Sequence, residues 1–186
     1  MKRKISFILA LILALACLVS CTDTGDTSTT ATSATTTATT AIVIPANCQK
    51  YSDGYVSFAY PKAWTKTNGS VTVLTDPSGS GNNITVVYEN KNTYYDTLTL
   101  ATFNSQMKPS YEAMGMQISG ASVTHTTFNG ENVLVISYSA RVQSRNVKQT
   151  QYVLHSGART YTVTVSEFAN DSTLTQNVTG TLDALK

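Results

Sequence analysis

The sequence predicts an α+β domain: a mostly antiparallel sheet of about six or seven strands flanked by helices, with a signal segment and a disordered tether ahead of it. Three observations lead there. Alternating apolar residues mark strands in two runs, joined by short links of turn-forming residues, which implies antiparallel pairing. Two stretches with apolar residues at helical spacing follow those runs, one after each. The opening of the chain has neither pattern, and instead passes from an apolar run to a threonine-rich one. The chain thus divides into a signal segment at residues 1–20, a disordered linker at 21–45 and a folded domain at 46–186.

Lys2-Arg3-Lys4 is a basic start, and residues 5–19 are almost wholly apolar. As a helix that run would be roughly 22 Å long, short of the ~30 Å hydrocarbon core that a permanent span must cross and suited to the apolar part of a signal peptide. It closes on Leu18-Val19-Ser20-Cys21, which resembles the lipobox of bacterial lipoproteins. That resemblance implies cleavage before Cys21, a diacyl (palmitate-type) lipid on Cys21, and anchoring at the extracytoplasmic face of a bacterial membrane. Ala14-Leu15-Ala16 is a competing small-x-small site, but cutting there would leave an apolar end on the product.

The cut also changes the charge. The whole chain is formally +2, whereas the part from Cys21 onward carries 10 basic and 11 acidic residues, 10 − 11 = −1. A nucleic-acid partner therefore has no electrostatic footprint. Of the three cysteines, Cys17 leaves with the signal and Cys21 takes the lipid, so Cys48 has no partner for a disulfide. A disulfide-stapled scaffold is excluded, and Cys48 is expected as a small buried apolar side chain.

Residues 22–40 hold eleven Thr, two Ser, three Ala, two Asp and one Gly, with no aromatic or large aliphatic residue. Such a segment buries too little to offset the entropy of ordering. As a flexible coil it would reach about 25 Å, enough to hold a domain clear of the headgroups.

Within the domain, residues 54–60 alternate, with Val56, Phe58 and Tyr60 on one side, and Pro61 stops the strand. Trp64 is expected as a core anchor. Strands at 71–74 and 84–88, separated by Asp76-Pro77-Ser78-Gly79-Ser80-Gly81, complete what reads as a three-stranded meander. Leu100, Phe103, Met107, Tyr111 and Met114 then share a helical face, capped by Thr97 or Thr99 and stopped at Gly115. Pro109 conflicts with a straight helix and predicts a kink or two abutting helices. Strands follow at 122–127, 132–142, 148–155 and 159–165, the first pair joined through Asn129-Gly130. In the second, Leu134, Ile136, Tyr138, Ala140 and Val142 share a face; in the last, Tyr161, Val163 and Val165 do. A final helix presents Leu174, Val178, Leu182 and Leu185, with Asp171 or Ser172 as its cap.

This order, opening on Phe58-Ala59-Tyr60-Pro61-Lys62-Ala63-Trp64 and closing on Tyr161-Thr162-Val163-Thr164-Val165 and Leu182-Asp183-Ala184-Leu185-Lys186, resembles the PsbP-like family, which includes bacterial envelope lipoproteins of the DcrB type. The resemblance implies a sheet flanked by helices that serves as a non-enzymatic adaptor; photosynthetic members support a metal cluster within a large complex. None of their ligand motifs matches positions here.

Catalytic motifs are sparse. His125 and His155 both fall in strands, with no clustered Cys/His spacing for zinc. There is no Gly-x-Ser-x-Gly elbow, no phosphate loop, and no short loop rich in carboxylates for calcium. No metal or cofactor is expected beyond the lipid. Tyr94-Tyr95, just ahead of the helix, and Arg141, Arg145 and Lys148, around one hairpin turn with Arg159 on the next strand, are the candidate partner surface. The expected function is a membrane-anchored binding or adaptor domain for an envelope protein, without catalysis. A small-ligand carrier with a tyrosine-lined pocket and an envelope hydrolase pairing Cys48 with a histidine are the alternatives.

Overall fold

Seven strands build the main sheet, all antiparallel: β3 (Thr65–Thr67), β4 (Thr72–Thr75), β5 (Asn83–Asn90), β6 (Gln117–Phe128), β7 (Glu131–Val142), β8 (Arg145–Ser156) and β9 (Arg159–Glu167), in the order β3-β4-β5-β9-β8-β7-β6. A second sheet, in the order β1-β2-β10, joins β1 (Cys48–Ser52), β2 (Val56–Pro61) and β10 (Asp183–Ala184). The computed structural model describes residues 42–142, 144–168 and 172–185. The signal segment, most of the linker, Cys21 and the candidate cap Asp171 lie outside the described residues. Residues Ile42–Lys186 form one compact unit.

The small sheet and the last helix, α3 (Thr173–Thr181), cover one face of the large sheet. Tyr51, Val56, Phe58 and Tyr60 from the small sheet and Leu174, Val178 and Leu182 from the α3 segment form one apolar core with Leu74, Ile84, Val86, Val133, Tyr152, Leu154, Tyr161, Val163 and Val165. Trp64 is only partly buried and packs at the margin of that core. A fully buried side chain of this kind is worth about 1.5–3 kcal/mol, so this layer carries much of the stability.

The opposite face is covered by α1 (Leu100–Thr102), a single π turn (Phe103–Met107) and α2 (Lys108–Ala113). Phe103 and Tyr111 meet Tyr138 of β7 with ring centroids 5.9 and 5.6 Å apart. Thr99 caps α1, its hydroxyl accepting from the Thr102 N–H. The π turn shows how the chain accommodates Pro109: in a regular helix the ring would strike the Ser105 carbonyl, and the wider turn, with the Lys108 N–H donating to Phe103 O, relieves that. Phe103, Met107 and Tyr111 are buried as the spacing predicts, whereas Leu100 is exposed and Met114 half-buried because the π turn rotates the face between them.

Several expectations need correcting. The strand at 54–60 does not belong to a meander with the next two: β2 lies in the small sheet, and the meander is β3-β4-β5. The final helix stops at Thr181; Leu185 lies beyond it, its N–H donating to the Tyr55 carbonyl at 2.7 Å while β10 pairs with β2. Ser172 makes no side-chain cap. Glu167 does that work from β9, one carboxylate oxygen accepting from the Thr175 N–H at 3.1 Å and the other from the Thr175 hydroxyl at 2.6 Å.

One irregularity decides which residues meet on the helix-covered face. Between Ser119 and Ser122, β6 carries one residue more than β7, a bulge at which Gly120 adopts φ +60°. The extra residue inverts the alternation, so Ile118 before it and Val123 and His125 after it all point toward the helices. The β6–β7 turn is the expected one, with Asn129 and Gly130 both at positive φ (50° and 83°).

Candidate functional site

The short 3₁₀ turn Thr93–Thr97 brings Tyr94, Tyr95 and Asp96 against the end of the large sheet. Asn92 caps it, its side chain accepting from the Tyr94 N–H at 3.1 Å. Between this turn and β6, β7 and β8 lies a cleft of about 390 Å³ lined by Tyr95, Asp96, His125, Thr127, Asn132 and His155, with Leu134 and Val153 as its apolar floor. Both histidines of the chain therefore share one site.

Neither histidine points freely outward, which is the simplest expectation for a strand histidine. His125 Nε2 lies 2.8 Å from the Leu98 carbonyl. His155 Nε2 lies 2.8 Å from Asp96 Oδ1, and its Nδ1 lies 2.8 Å from the Thr160 hydroxyl, which also accepts from the Asn92 N–H at 2.8 Å. The order acid, imidazole, hydroxyl invites a nucleophilic role, but Thr160 is 1% exposed and no substrate can reach its oxygen. The arrangement clamps the 3₁₀ turn to the sheet instead.

Tyr95 and Tyr94 divide the two roles that a loop aromatic can take. Tyr95 packs inward and lines the cleft; burial first, and the nearby Glu89 charge second, push its phenol well above the ordinary range. Tyr94 remains 39% exposed, edge-on to Tyr95 at 5.7 Å, with its hydroxyl donating to Gln106 at 3.0 Å.

The basic hairpin is elsewhere. Arg145 and His155 stand at opposite ends of β8, roughly 33 Å apart at about 3.3 Å per residue, so the tyrosine turn and the basic cluster form two separate ends. The hairpin itself is split by strand alternation: Arg141 and Lys148 project on the face that carries the apolar core, and Arg145 on the other. Arg145 donates to the Ser80 carbonyl and its guanidinium lies 4.4 Å over the Phe168 ring, so it braces the β4–β5 loop. Arg141 and Lys148 are exposed and make no ion pair among the described residues.

Cys48 is buried, 3% exposed, and free. Burial raises its thiol above the ordinary value, with Lys62 acting in the opposite sense. Its polar neighbours are Asn47 and Asn177, and the large sheet stands between it and both histidines. A Cys48–His dyad is not assembled. Among the described residues no three His, Cys, Asp or Glu side chains gather to hold a metal ion.

Sequence reasoning set Arg159 only beside the basic hairpin, and two groupings escaped it. Asp96 and His155 are 59 residues apart and only the fold joins them. At the edge of the apolar core, the Arg159 guanidinium lies over both Tyr55 and Tyr88, 4.4 and 4.3 Å from their centroids, beside a second recess of about 200 Å³. Neither has a local motif.

No protein-family model matches the chain, and no curated protein matches it in sequence. Solved structures do match. The solution structure of cyanobacterial PsbP (CyanoP) from Synechocystis sp. PCC 6803 superposes with a TM-score of 0.57 at 17% identity, covering 75% of this chain and 94% of that one. The fold is PsbP-like. A Bacteroides thetaiotaomicron protein matches with a TM-score of 0.51 at 12% identity, over 75% of this chain and 49% of that longer one. LpqN of Mycobacterium tuberculosis, described as involved in cell envelope biogenesis, gives a TM-score of only 0.39 at 14% identity, over 75% of this chain and 92% of its own. At 17% identity the likeness to CyanoP concerns architecture alone, the helix-flanked antiparallel sheet that the alternation and spacing predict.

Proposed function

We propose that this chain is a lipid-anchored, extracytoplasmic adaptor: Cys21 holds it at a bacterial membrane, and the PsbP-like domain binds an envelope protein or complex without catalysis. The observation that carries this reading is the PsbP-like fold of residues 42–186, placed downstream of a lipobox-like segment and a threonine-rich tether. The interior supports it too. The two groups with catalytic potential are engaged in packing, His155 in the clamp and Cys48 between two asparagines. Among the described residues no helix is long and apolar enough to cross a membrane.

The partner surface is the end that carries Tyr94 and the cleft, or the opposite end with Arg141 and Lys148. Being separate, the two ends can be tested one at a time. Of the tyrosines expected to line a pocket, Tyr111, Tyr138, Tyr152 and Tyr161 are fully buried in the interior.

The anchor is tested by intact-mass analysis of the protein extracted from membranes. We expect residues 1–20 to be absent, a diacylglyceryl mass on Cys21, and release of a Cys21→Ala form from the membrane fraction. A Cys21→Ala form that stays membrane-bound with unchanged mass overturns the reading.

A further inference from the structure

We infer that the recess beside Arg159 is a binding site for an acidic saccharide, whose carboxylate pairs with the Arg159 guanidinium and whose ring lies against Tyr88. The site goes beyond the adaptor reading and stands whether or not the domain also binds a protein.

Arg159 is held at several points. Its guanidinium lies over the rings of both Tyr55 and Tyr88, and Nη1 donates to the Tyr161 hydroxyl at 3.2 Å. The tyrosine rings are themselves braced on Tyr161, with centroids 6.1 and 5.5 Å away. A guanidinium has five N–H donors in a rigid fork, and among the described residues this one donates a hydrogen bond to the Tyr161 hydroxyl alone. No carboxylate forms an ion pair with it among the described residues. A fixed, charged fork with unused donors is suited to bidentate recognition of a carboxylate.

The rest of the recess narrows the ligand class. Asp53, Ser70 and Thr72 line it with Tyr88. Asp53 Oδ1 accepts from the N–H groups of Tyr55 and Val56, at 2.9 and 3.0 Å, which seats the carboxylate at the rim. A bare anion would use Arg159 and leave the acid and the hydroxyls idle. A neutral sugar would use the hydroxyls and leave Arg159 unpaired. A sugar acid uses all of them: hydroxyls to Asp53, Ser70 and Thr72, carboxylate to Arg159, and the C–H face of the ring against Tyr88, which is 52% exposed and available. The ~200 Å³ volume suits one sugar unit, with further units extending into solvent.

The test is titration calorimetry of the full chain in detergent micelles with glucuronate, glucose and acetate. We expect glucuronate to bind about tenfold tighter or more than either glucose or acetate. Arg159→Lys, which keeps the charge and loses the fork, should weaken glucuronate about tenfold, and Tyr88→Ala should weaken glucose and glucuronate alike by a smaller factor. Circular dichroism of both variants should match the parent. Glucuronate binding no tighter than glucose, no saturation by about 10 mM glucuronate, or full retention in both variants would each overturn the assignment.

Discussion

On the face covered by the small sheet and α3, the seven-stranded sheet presents Leu74, Ile84, Val86, Val133, Leu154, Val163 and Val165. On the face covered by α1, the π turn and α2, it presents Gln149, Gln151, Tyr138, Thr85 and Thr164 beside Ile136 and Leu134. The first is dominated by apolar packing, with its polar contacts gathered where Tyr152 meets the Thr175 carbonyl and Thr179 hydroxyl and Glu167 caps α3. The second is threaded by hydrogen bonds: Tyr138 donates to Gln149 at 2.6 Å, Gln149 to Ser166 at 3.0 Å, and Gln151 to the hydroxyls of Tyr138 and Tyr111 at 3.2 and 3.4 Å. It also holds two hydroxyls without a partner among the described residues, those of Thr85 and Thr164, which face each other across β5 and β9. The difference teaches where stability and specificity reside. The apolar face supplies the driving force, while the polar face gains little net energy and constrains how the helices seat, which in turn positions the Tyr94–Tyr95 turn and the cleft.

The comparison is broken most severely on the apolar face. Phe58→Ala empties a site that is 0% exposed, and a loss of about 3–5 kcal/mol is expected by urea denaturation. Tyr138→Phe, by contrast, keeps the ring and leaves Gln149 without its donor, for an expected loss of about 1–3 kcal/mol. If this substitution costs as much as Phe58→Ala, the two faces do not differ in kind.

Alkaline pH tests both layers at once. Burial raises the phenols of Tyr111 and Tyr138 on the polar face, and pushes Tyr152 on the apolar face up to about 12. A group whose folded value is raised contributes stability that is complete below its unfolded value, about 10 for tyrosine, and is lost as pH climbs through the folded one. Stability should therefore fall above about pH 10, and native phenolate absorbance should lag that of the denatured chain. Coincident curves would contradict the burial described here.

Smaller effects sharpen the same contrast. Thr164→Val replaces an unpartnered buried hydroxyl with a methyl group and should stabilise the domain by up to about 1 kcal/mol by the same denaturation assay. Asp96→Asn weakens the clamp on the 3₁₀ turn, where Asp96 is 51% exposed, so about 0.2–1 kcal/mol is the expected loss. Faster hydrogen exchange confined to residues 92–98 would show the turn loosening.

Much of this architecture was legible from alternation and spacing. Tyr161, Val163 and Val165 do share the apolar face, Asn129-Gly130 does turn the β6–β7 hairpin, and Thr99 does cap α1. What was not legible depends on contacts between distant segments. The strand at 54–60 alternates whichever sheet it joins, so its pairing with β1 and β10 rather than β4 leaves no local trace. The bulge beside Gly120 costs one residue of register, and that residue determines on which face His125 falls. Glu167 caps α3 from eight residues away, beyond the reach of a capping-box pattern. The candidate partner residues were found as two local clusters, Tyr94–Tyr95 and Arg141–Arg145–Lys148, but their separation to opposite ends required the strand lengths. The Arg159 recess needed three tyrosines, Tyr55, Tyr88 and Tyr161, from three strands or turns that only the fold brings together.

The account is tested most directly by chemical crosslinking in intact cells followed by mass spectrometry, with the Cys21→Ala form as the unanchored comparison. The adaptor reading predicts one dominant envelope protein captured by the anchored form, with crosslinks gathered at one end of the sheet, and loss of that capture without the anchor. Capture of no partner in either form, or the same partners with and without the anchor, would contradict it.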